Sequence, residues 1–312
     1  MAEMQTMRIH EFGGPDVLRA DIVNRPEPDA DELLVRVHAA SINPVDYKMR
    51  SGGYPAAEEK DLPLTLGRDL SGVVERAGEN VSDFGEGDAI FAFIGQGRGA
   101  YGEYVIVKRG EAAPKPTNAS HVEAAAVPLA GLTAWQGLFD HGQLKAGQRV
   151  LIHGGAGGVG HLAIQFARHH GIEVITTASK EDAEFLRGIG ADQVIDYKNE
   201  RFEDMVSKID VVFDLIGGET QERSWSVLKK NGVLVSTLGE PPQEKAQEHG
   251  VRGVGYLAQP DADQLAQIGR LIQEGRILPR VAATYKLSEA GAAQDRLEND
   301  HVQGKIVLDA AS

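Results

Sequence analysis

One stretch constrains this chain more than any other: His153-Gly154-Gly155-Ala156-Gly157-Gly158-Val159-Gly160. It follows the apolar run Val150-Leu151-Ile152 and opens a helix-period segment through Phe166-Ala167-Arg168. Gly155, Gly157 and Gly160 satisfy G-x-G-x-x-G. Glycine is needed there because the backbone must turn tightly and let a pyrophosphate come close, and the last glycine lets helix and strand pack. Unpaired N–H groups around Gly158 and Val159, at the positive end of the new helix, then face phosphate oxygens. A glycine-rich turn without a ligand is the alternative. The surrounding pattern favours the ligand: Val174-Ile175-Thr176, Val194-Ile195, Val211-Val212-Phe213 and Val233-Leu234-Val235 are strand-like runs separated by helical patterns, and Val254-Gly255-Tyr256 is a candidate sixth strand. Helices are expected over 182–189, around Met205 and over 225–230. Repeated strand–helix units predict a parallel sheet covered on both faces, the doubly wound α/β class. No Gly-Lys-Ser/Thr follows the glycines, so P-loop chemistry is excluded.

An NAD-preferring site of this kind carries a carboxylate about 20 residues on, at the end of the second strand. Here that strand ends Ala178-Ser179-Lys180, so a hydroxyl and an ammonium stand in its place. Lys180 attracts a 2′-phosphate that a carboxylate would repel, which favours NADPH as the cofactor, with Ser179 beside the ribose. The alternative is that Ser179 merely caps the next helix, with Lys180, Glu181 and Asp182 in its first turn.

Before about residue 127 the period is two rather than that of a helix. Leu33, Val35 and Val37 alternate, and Ser71-Gly72-Val73-Val74, Ala89-Ile90-Phe91 and Tyr104-Val105-Ile106-Val107 are short runs bounded by turn residues. They predict a barrel-like antiparallel unit. The texture changes at the Ala-rich stretch 124–138. After the strand–helix units, residues 263–274 are helical in period, and Lys305-Ile306-Val307-Leu308 reads as a strand able to pair with the first unit. The layout expected is a β-rich domain over 1–126 and 257–312 and a doubly wound domain over 127–256.

Charge and composition narrow the function. Acidic residues outnumber basic ones 46 to 32, for a net charge of −14, which argues against a nucleic-acid partner held by a basic face and against a polybasic membrane surface. Cysteine is absent, removing disulfides, thiolate nucleophiles and sulfur-built zinc sites and fitting a cytoplasmic setting. No apolar run approaches the roughly 18 residues of a membrane span. The ten histidines form no metal-ligand spacing, and there is no G-x-S-x-G elbow.

With these residues in view, the chain resembles the zinc-independent medium-chain reductases of the quinone oxidoreductase, zeta-crystallin-like, family. The resemblance runs through Phe12-Gly13-Gly14-Pro15-Asp16-Val17, residues 41–52 (SINPVDYKMRSG), residues 66–74 (LGRDLSGVV), Ala130-Gly131-Leu132-Thr133-Ala134-Trp135 and the glycine cluster. It implies a GroES-like β-rich catalytic domain plus a Rossmann doubly wound parallel-sheet domain, and by analogy a homodimer. Zinc alcohol dehydrogenases of the same architecture place a cysteine where this chain has Asn43 and a histidine where it has Arg68, so the resemblance implies that no metal is bound. Without a Lewis acid the fitting chemistry is hydride delivery to a conjugated acceptor, whose own π-system spreads the charge. The small-molecule substrate implied is a quinone, or an enone or enal.

The resemblance also assigns roles. Asn43 matches a position near the nicotinamide ribose and substrate, against the alternative of an Asn-Pro turn. Tyr47 offers a phenol to the substrate carbonyl, or is a core tyrosine. Arg68 contacts a carbonyl or phosphate, or pairs with a nearby acid. Asp46 and Lys48 are expected to be solvated or paired with each other. Thr133 matches a residue beside the nicotinamide, and Tyr197 one against the 2′-phosphate. Ile216 and Tyr256 follow strand ends that line a doubly wound crevice. Lys305 either reaches the cofactor from the tail or is solvated. Two rival functions stand beside the reductase of quinones and enones: an enone reductase without quinone activity, and a crystallin-like protein that binds NADPH without turnover.

Overall fold

A hairpin that the apolar pattern does not disclose opens the chain: β1 (Glu3–Ile9) pairs antiparallel with β2 (Leu18–Asn24). Only Met7, Ile9 and Leu18 of these strands are buried apolar residues, too few to mark a period in the sequence. The computed structural model describes residues 2–55 and 57–311, and it divides into two units. One comprises Met1–Leu129, Pro260–Gly275 and Pro279–Ser312, the other Ala130–Gln259 and Arg276–Leu278.

In the first unit the alternation at Leu33, Val35 and Val37 becomes β3 (Glu32–Ser41), in which all three are buried. A short β4 (Leu64–Thr65) edges the hairpin. On one side β3 pairs with β5 (Asp69–Ala77), which continues to β6 (Ala89–Phe93). On the other side, residues Glu32–Arg36 of β3 pair with β7 (Tyr104–Lys108), while β8 (Ala112–Pro114) extends the sheet from β6.

The second unit carries six parallel strands: β9 (Arg149–His153), β10 (Glu173–Ala178), β11 (Gln193–Asp196), β12 (Ile209–Asp214), β13 (Leu228–Ser236) and β14 (Arg252–Gly255). Their spatial order is β11-β10-β9-β12-β13-β14, so the order reverses between β9 and β12. A doubly wound sheet binds its ligand outside the carboxyl ends of the strands at that reversal. Leu151, Ile175, Ile195, Val212 and Leu234 place one buried residue from each of five adjacent strands in a shared core with Phe202 and Trp225.

The helix expected over 225–230 is not there. Gly218–Ser224 is the helix, Trp225–Val227 is a single 3-10 turn, and β13 has begun by Leu228. The polar run Glu219–Arg223 carries no apolar stripe to mark a helix, and exposed Lys229, Lys230 and Asn231 disguise the start of a strand buried only from Gly232 onward.

The chain then returns to the first unit. Helix Ala262–Gln273 buries Leu265, Ile268, Leu271 and Ile272. Strand β15 (Val281–Lys286) pairs parallel with β16 (Lys305–Asp309), and β16 pairs antiparallel with β3, Leu308 opposite Ala40. The tail strand thus occupies the half of β3 that β7 leaves open. Ile306 and Leu308 join Leu33, Val35, Leu70, Ile90 and Tyr101 in one core, and each fully buried aliphatic side chain there contributes about 2 kcal/mol. No helix among the described residues is long and apolar enough to cross a membrane.

Candidate active site

The glycine loop separates into positions the protein needs and one it does not. A Cβ on Gly155 would lie 2.1 Å from Thr176 Oγ1, and one on Gly160 would lie 2.3 Å from the Gly154 carbonyl oxygen. Both glycines are therefore demanded by packing between strand and helix. At Gly157 the nearest protein atom to a Cβ is the Gly154 oxygen at 3.5 Å, ordinary contact, and the residue is half-exposed. Its missing side chain leaves room for something outside the protein. The N–H groups of Gly158 and Val159, ahead of helix Gly160–His169, bond to no backbone carbonyl among the described residues. Open donors and an unfilled cradle are what a pyrophosphate requires.

Beneath the loop, His153 ends β9 with no exposure. Ser224 Oγ donates to the Thr220 carbonyl at 2.6 Å, so it accepts from His153 Nε2 at 2.9 Å, leaving Nδ1 to accept from Thr177 Oγ1 at 3.0 Å. The ring is held neutral, and burial lowers its pKa to about 4.

Four large apolar side chains that a globular unit would ordinarily cover stand open immediately after strands of this sheet. Tyr197 follows β11 and is 60% exposed, Ile216 follows β12 at 56%, Leu238 follows β13 at 47% and Leu257 follows β14 at 65%. Ile216 Cδ1 lies 3.1 Å from where a Cβ of Gly154 would sit, so its side chain borders the glycine loop. At the ends of β10 and β11, buried Ser179 donates to the Asp182 carboxylate at 2.7 Å, with exposed Lys180 next to it. The Tyr197 N–H bonds to the Ala178 carbonyl at 3.2 Å, which sets the phenol ring at this corner, and Lys198 Nζ lies 5.9 Å from the ring centre. Lys180 and Lys198 both help hold the Asp196 carboxyl below its usual range, after its bond from Asn199. Lys198, Leu238 and Leu257 are not singled out by the sequence, where they follow strands without a distinguishing neighbour.

Two predicted cofactor contacts prove to be tied to each other. The Tyr256 hydroxyl donates to the Thr133 carbonyl at 2.5 Å and accepts from the Gly137 N–H, so it sits inside the bond that an α-helix would make between those residues. The helix widens accordingly: Gln136–His141 is π-helical, with Gly142 N bonded to the Gly137 carbonyl at 2.9 Å. A Cβ at Gly137 would lie 2.5 Å from that hydroxyl, so glycine is required. The Tyr256 hydroxyl is thereby committed within the protein.

In the first unit, the end of β3 and the helix Pro44–Arg50 gather a buried charged cluster. Lys305 is 4% exposed, and its ammonium donates to the Ile42 carbonyl at 2.7 Å and to Asn43 Oδ1 at 2.5 Å. Of the two readings of Lys305, cofactor contact or solvated lysine, the solvated one is thus corrected to a buried side chain, because β16 delivers it edge-on to β3. Asn43 Nδ2 donates to Asp69 Oδ1 at 2.9 Å, and that carboxylate also accepts from Ser41 Oγ and from the Leu129 N–H. Asp46, expected at the surface or on Lys48, is fully buried. It accepts from the Asn43 N–H at 2.7 Å, the Gly67 N–H at 3.2 Å and the Tyr101 hydroxyl at 3.0 Å. Burial, and then the charge of Asp69, push Asp46 up to about 6, and burial pulls Lys305 below the usual lysine range. Tyr47, half-buried on the same helix, is raised by burial and by Glu298, so its phenol stays a donor. Asn43 is more than an Asn-Pro turn, since both faces of its amide are engaged.

Asp46 and His153 shift stability in opposite directions with pH. The raised Asp46 favours its proton in the fold, so it contributes stability below about pH 4 that is lost as pH rises through 6. The depressed His153 contributes stability above pH 6.5 that is lost as pH falls toward 4. Each is about 3 kcal/mol. Between pH 4 and 6.5 the unfolding free energy of Asp46→Asn should therefore climb about 3 kcal/mol more than that of the wild type. Urea unfolding at several pH values reads this directly; parallel curves would refute it.

The donor set at the two metal-ligand positions does not fit a zinc ion. Asn43 Oδ1 already accepts from an ammonium, and Arg68 brings a second cation. Among the described residues no group of three or more histidines and carboxylates is arranged to hold a metal.

Residues 29–117 match the family described as alcohol dehydrogenase GroES-like domain, and residues 189–308 the one described as zinc-binding dehydrogenase. The chain is 36% identical over 320 residues to the NADPH-dependent alkenal/one oxidoreductase, chloroplastic, of Arabidopsis thaliana, covering 98% of this chain and 79% of that protein. It superposes with a TM-score of 0.93 on the quinone oxidoreductase of Coxiella burnetii, at 38% identity and covering 99% of this chain and all of that one. With the Escherichia coli quinone oxidoreductase complexed with NADPH the TM-score is 0.88, at 29% identity over 98% of this chain and 99% of that one.

Proposed function

Because this chain belongs to the quinone oxidoreductase family of medium-chain dehydrogenases and reductases, we propose that it is a zinc-independent reductase that uses NADPH to reduce quinones or α,β-unsaturated carbonyls. The observation that carries the cofactor reading is the corner at the ends of β10 and β11, where Ser179, Lys180, Tyr197 and Lys198 stand and no carboxylate follows β10 directly. Two ammonium groups and an exposed aromatic ring suit a 2′-phosphate and an adenosine. The Gly155–Gly160 loop is to hold the pyrophosphate, and Ile216, Leu238 and Leu257 are to cover the apolar faces of the dinucleotide.

When bound, NADPH supplies the hydride, and conjugation in the acceptor spreads the incoming charge. The chain's own residues then bind, orient and donate. Tyr47, protonated throughout the neutral range, donates a hydrogen bond to the acceptor oxygen as negative charge develops there. Asn43 is a positioning residue: held by Lys305 and Asp69, it fixes the start of the helix that carries Tyr47. By family analogy, we further propose a homodimer working in the cytoplasm on small molecules.

The test is steady-state oxidation of NADPH with menadione and with crotonaldehyde. Turnover of at least one acceptor is expected, with kcat/KM for NADPH about 100-fold above that for NADH. Tight NADPH binding without turnover of either acceptor would favour the crystallin-like alternative, and no affinity for NADPH would end the reading.

A further inference from the structure

The first unit contains an open pocket of about 650 Å³, lined among others by Met49, Tyr54, Pro63, Arg68, Arg98 and Tyr104. Three arginines border it, and two are neutralised. Arg98 forms a bidentate pair with Glu111, at 2.6 and 2.8 Å. Arg8 lies 3.8 Å from Asp21 and donates to the Pro63 carbonyl. Arg68 differs. It is 8% exposed, its side chain forms no hydrogen bond or ion pair among the described residues, and its Nε, like that of Arg8, is buried without a partner. The expectation that it pairs with a nearby acid is therefore not met, although Asp69 is its neighbour in sequence. Asp69 is turned to Ser41, Asn43 and Leu129 instead. The Phe93 ring lies 5.9 Å from the guanidinium carbon and satisfies no N–H. The acid on the pocket wall, Asp61, is exposed and accepts from the Glu58 N–H.

A guanidinium largely buried at the wall of an open pocket and paired with no acid calls for an anion, and its planar fork fits a carboxylate with two parallel bonds. We propose that Arg68 is a specificity residue that binds a carboxylate carried by the acceptor. The enzyme's substrates would then be conjugated carbonyl compounds with an acidic substituent. The apolar surfaces of Met49, Tyr54, Pro63 and Tyr104 would take the substituent's hydrocarbon frame, and Met49 belongs to the same helix as Tyr47. This rests on the reductase reading above. The cofactor's phosphates are the other source of an anion. They are less favoured because the glycine loop and Lys180 already answer them.

The experiment compares the para-carboxylate of benzylideneacetone with its methyl ester, two enones of one frame. In wild-type protein kcat/KM should favour the carboxylate at least about tenfold. In Arg68→Gln that ratio should fall about 30-fold or more, and in Arg68→Lys, which keeps the charge and loses the fork, it should fall by less. A wild-type ratio at or below one, or equal losses on both enones in Arg68→Gln, overturns the assignment. So does a loss of NADPH affinity in Arg68→Gln matching its loss on the carboxylate, which would hand the residue to the cofactor. Calorimetric titration of the carboxylate into wild-type and Arg68→Lys protein reads the site without turnover. Binding through Arg68 with neither enone reduced would sink the reductase reading and keep the anion site, whereas no binding to wild-type protein removes the site. Should Arg68→Gln not fold, the Arg68→Lys ratio and the titration decide between the same outcomes.

Discussion

Replacing Lys180 by aspartate should weaken NADPH binding about 100-fold or more while changing NADH affinity less than fivefold. The change removes one of two ammonium groups and restores the carboxylate that binds a free ribose 2′-hydroxyl. Lys180 is exposed and its side chain forms no hydrogen bond or ion pair among the described residues, so the thermal midpoint should stay within about 2 °C. Fluorescence titration of both nucleotides measures the result. Equal losses for the two would mean that Lys180 does not read the phosphate. Lys198→Ala should act in the same direction and more weakly, since it deletes charge without introducing repulsion.

The second large effect is on stability. Lys305→Met removes the cation from a cluster holding the two carboxyl groups of Asp46 and Asp69, all of it buried. Breaking a buried ion network by deleting one partner costs about 3–5 kcal/mol, and the thermal midpoint should drop by roughly 10 °C. Adding Asp69→Asn to that variant should recover much of the loss, because the uncompensated charge is then gone. A single variant as stable as wild type, or a double variant less stable than Lys305→Met alone, would show that the cluster is not held by its charges.

How much of this was legible without a structure depends on whether the cause is local. The glycine loop and the six parallel strands, the last as the candidate run Val254-Gly255-Tyr256, announce themselves because one apolar period and one turn chemistry decide them over a few residues. That Ser179 and Lys180 stand at the end of β10 was legible for the same reason, being a fixed distance from the glycines. Asp46, Lys305 and Arg68 were not. Whether a charged side chain is solvated, paired or stranded depends on residues far away in sequence: Asp46 meets Tyr101, and Lys305 meets Asn43 across 262 positions. The insertion of Tyr256 between Gly137 and Thr133 was equally hidden. Its sequence signature is a tyrosine after a short strand and a glycine in a helix, each common alone. The misplaced helix over 225–230 has the opposite cause, because a polar surface helix leaves no pattern while an exposed strand end imitates one.

Strand β16 brings the last buried charge to the first unit from the far end of the chain. As the polypeptide emerges from the ribosome, the parallel sheet has all its strands before the antiparallel one does. Until residues 305–309 arrive, half of β3 lacks its neighbour, and the carboxyl groups of Asp46 and Asp69 lack their counter-ion. Maturation of this protein is thus back to front: the parallel-sheet half can be finished while the half encoded first is still waiting.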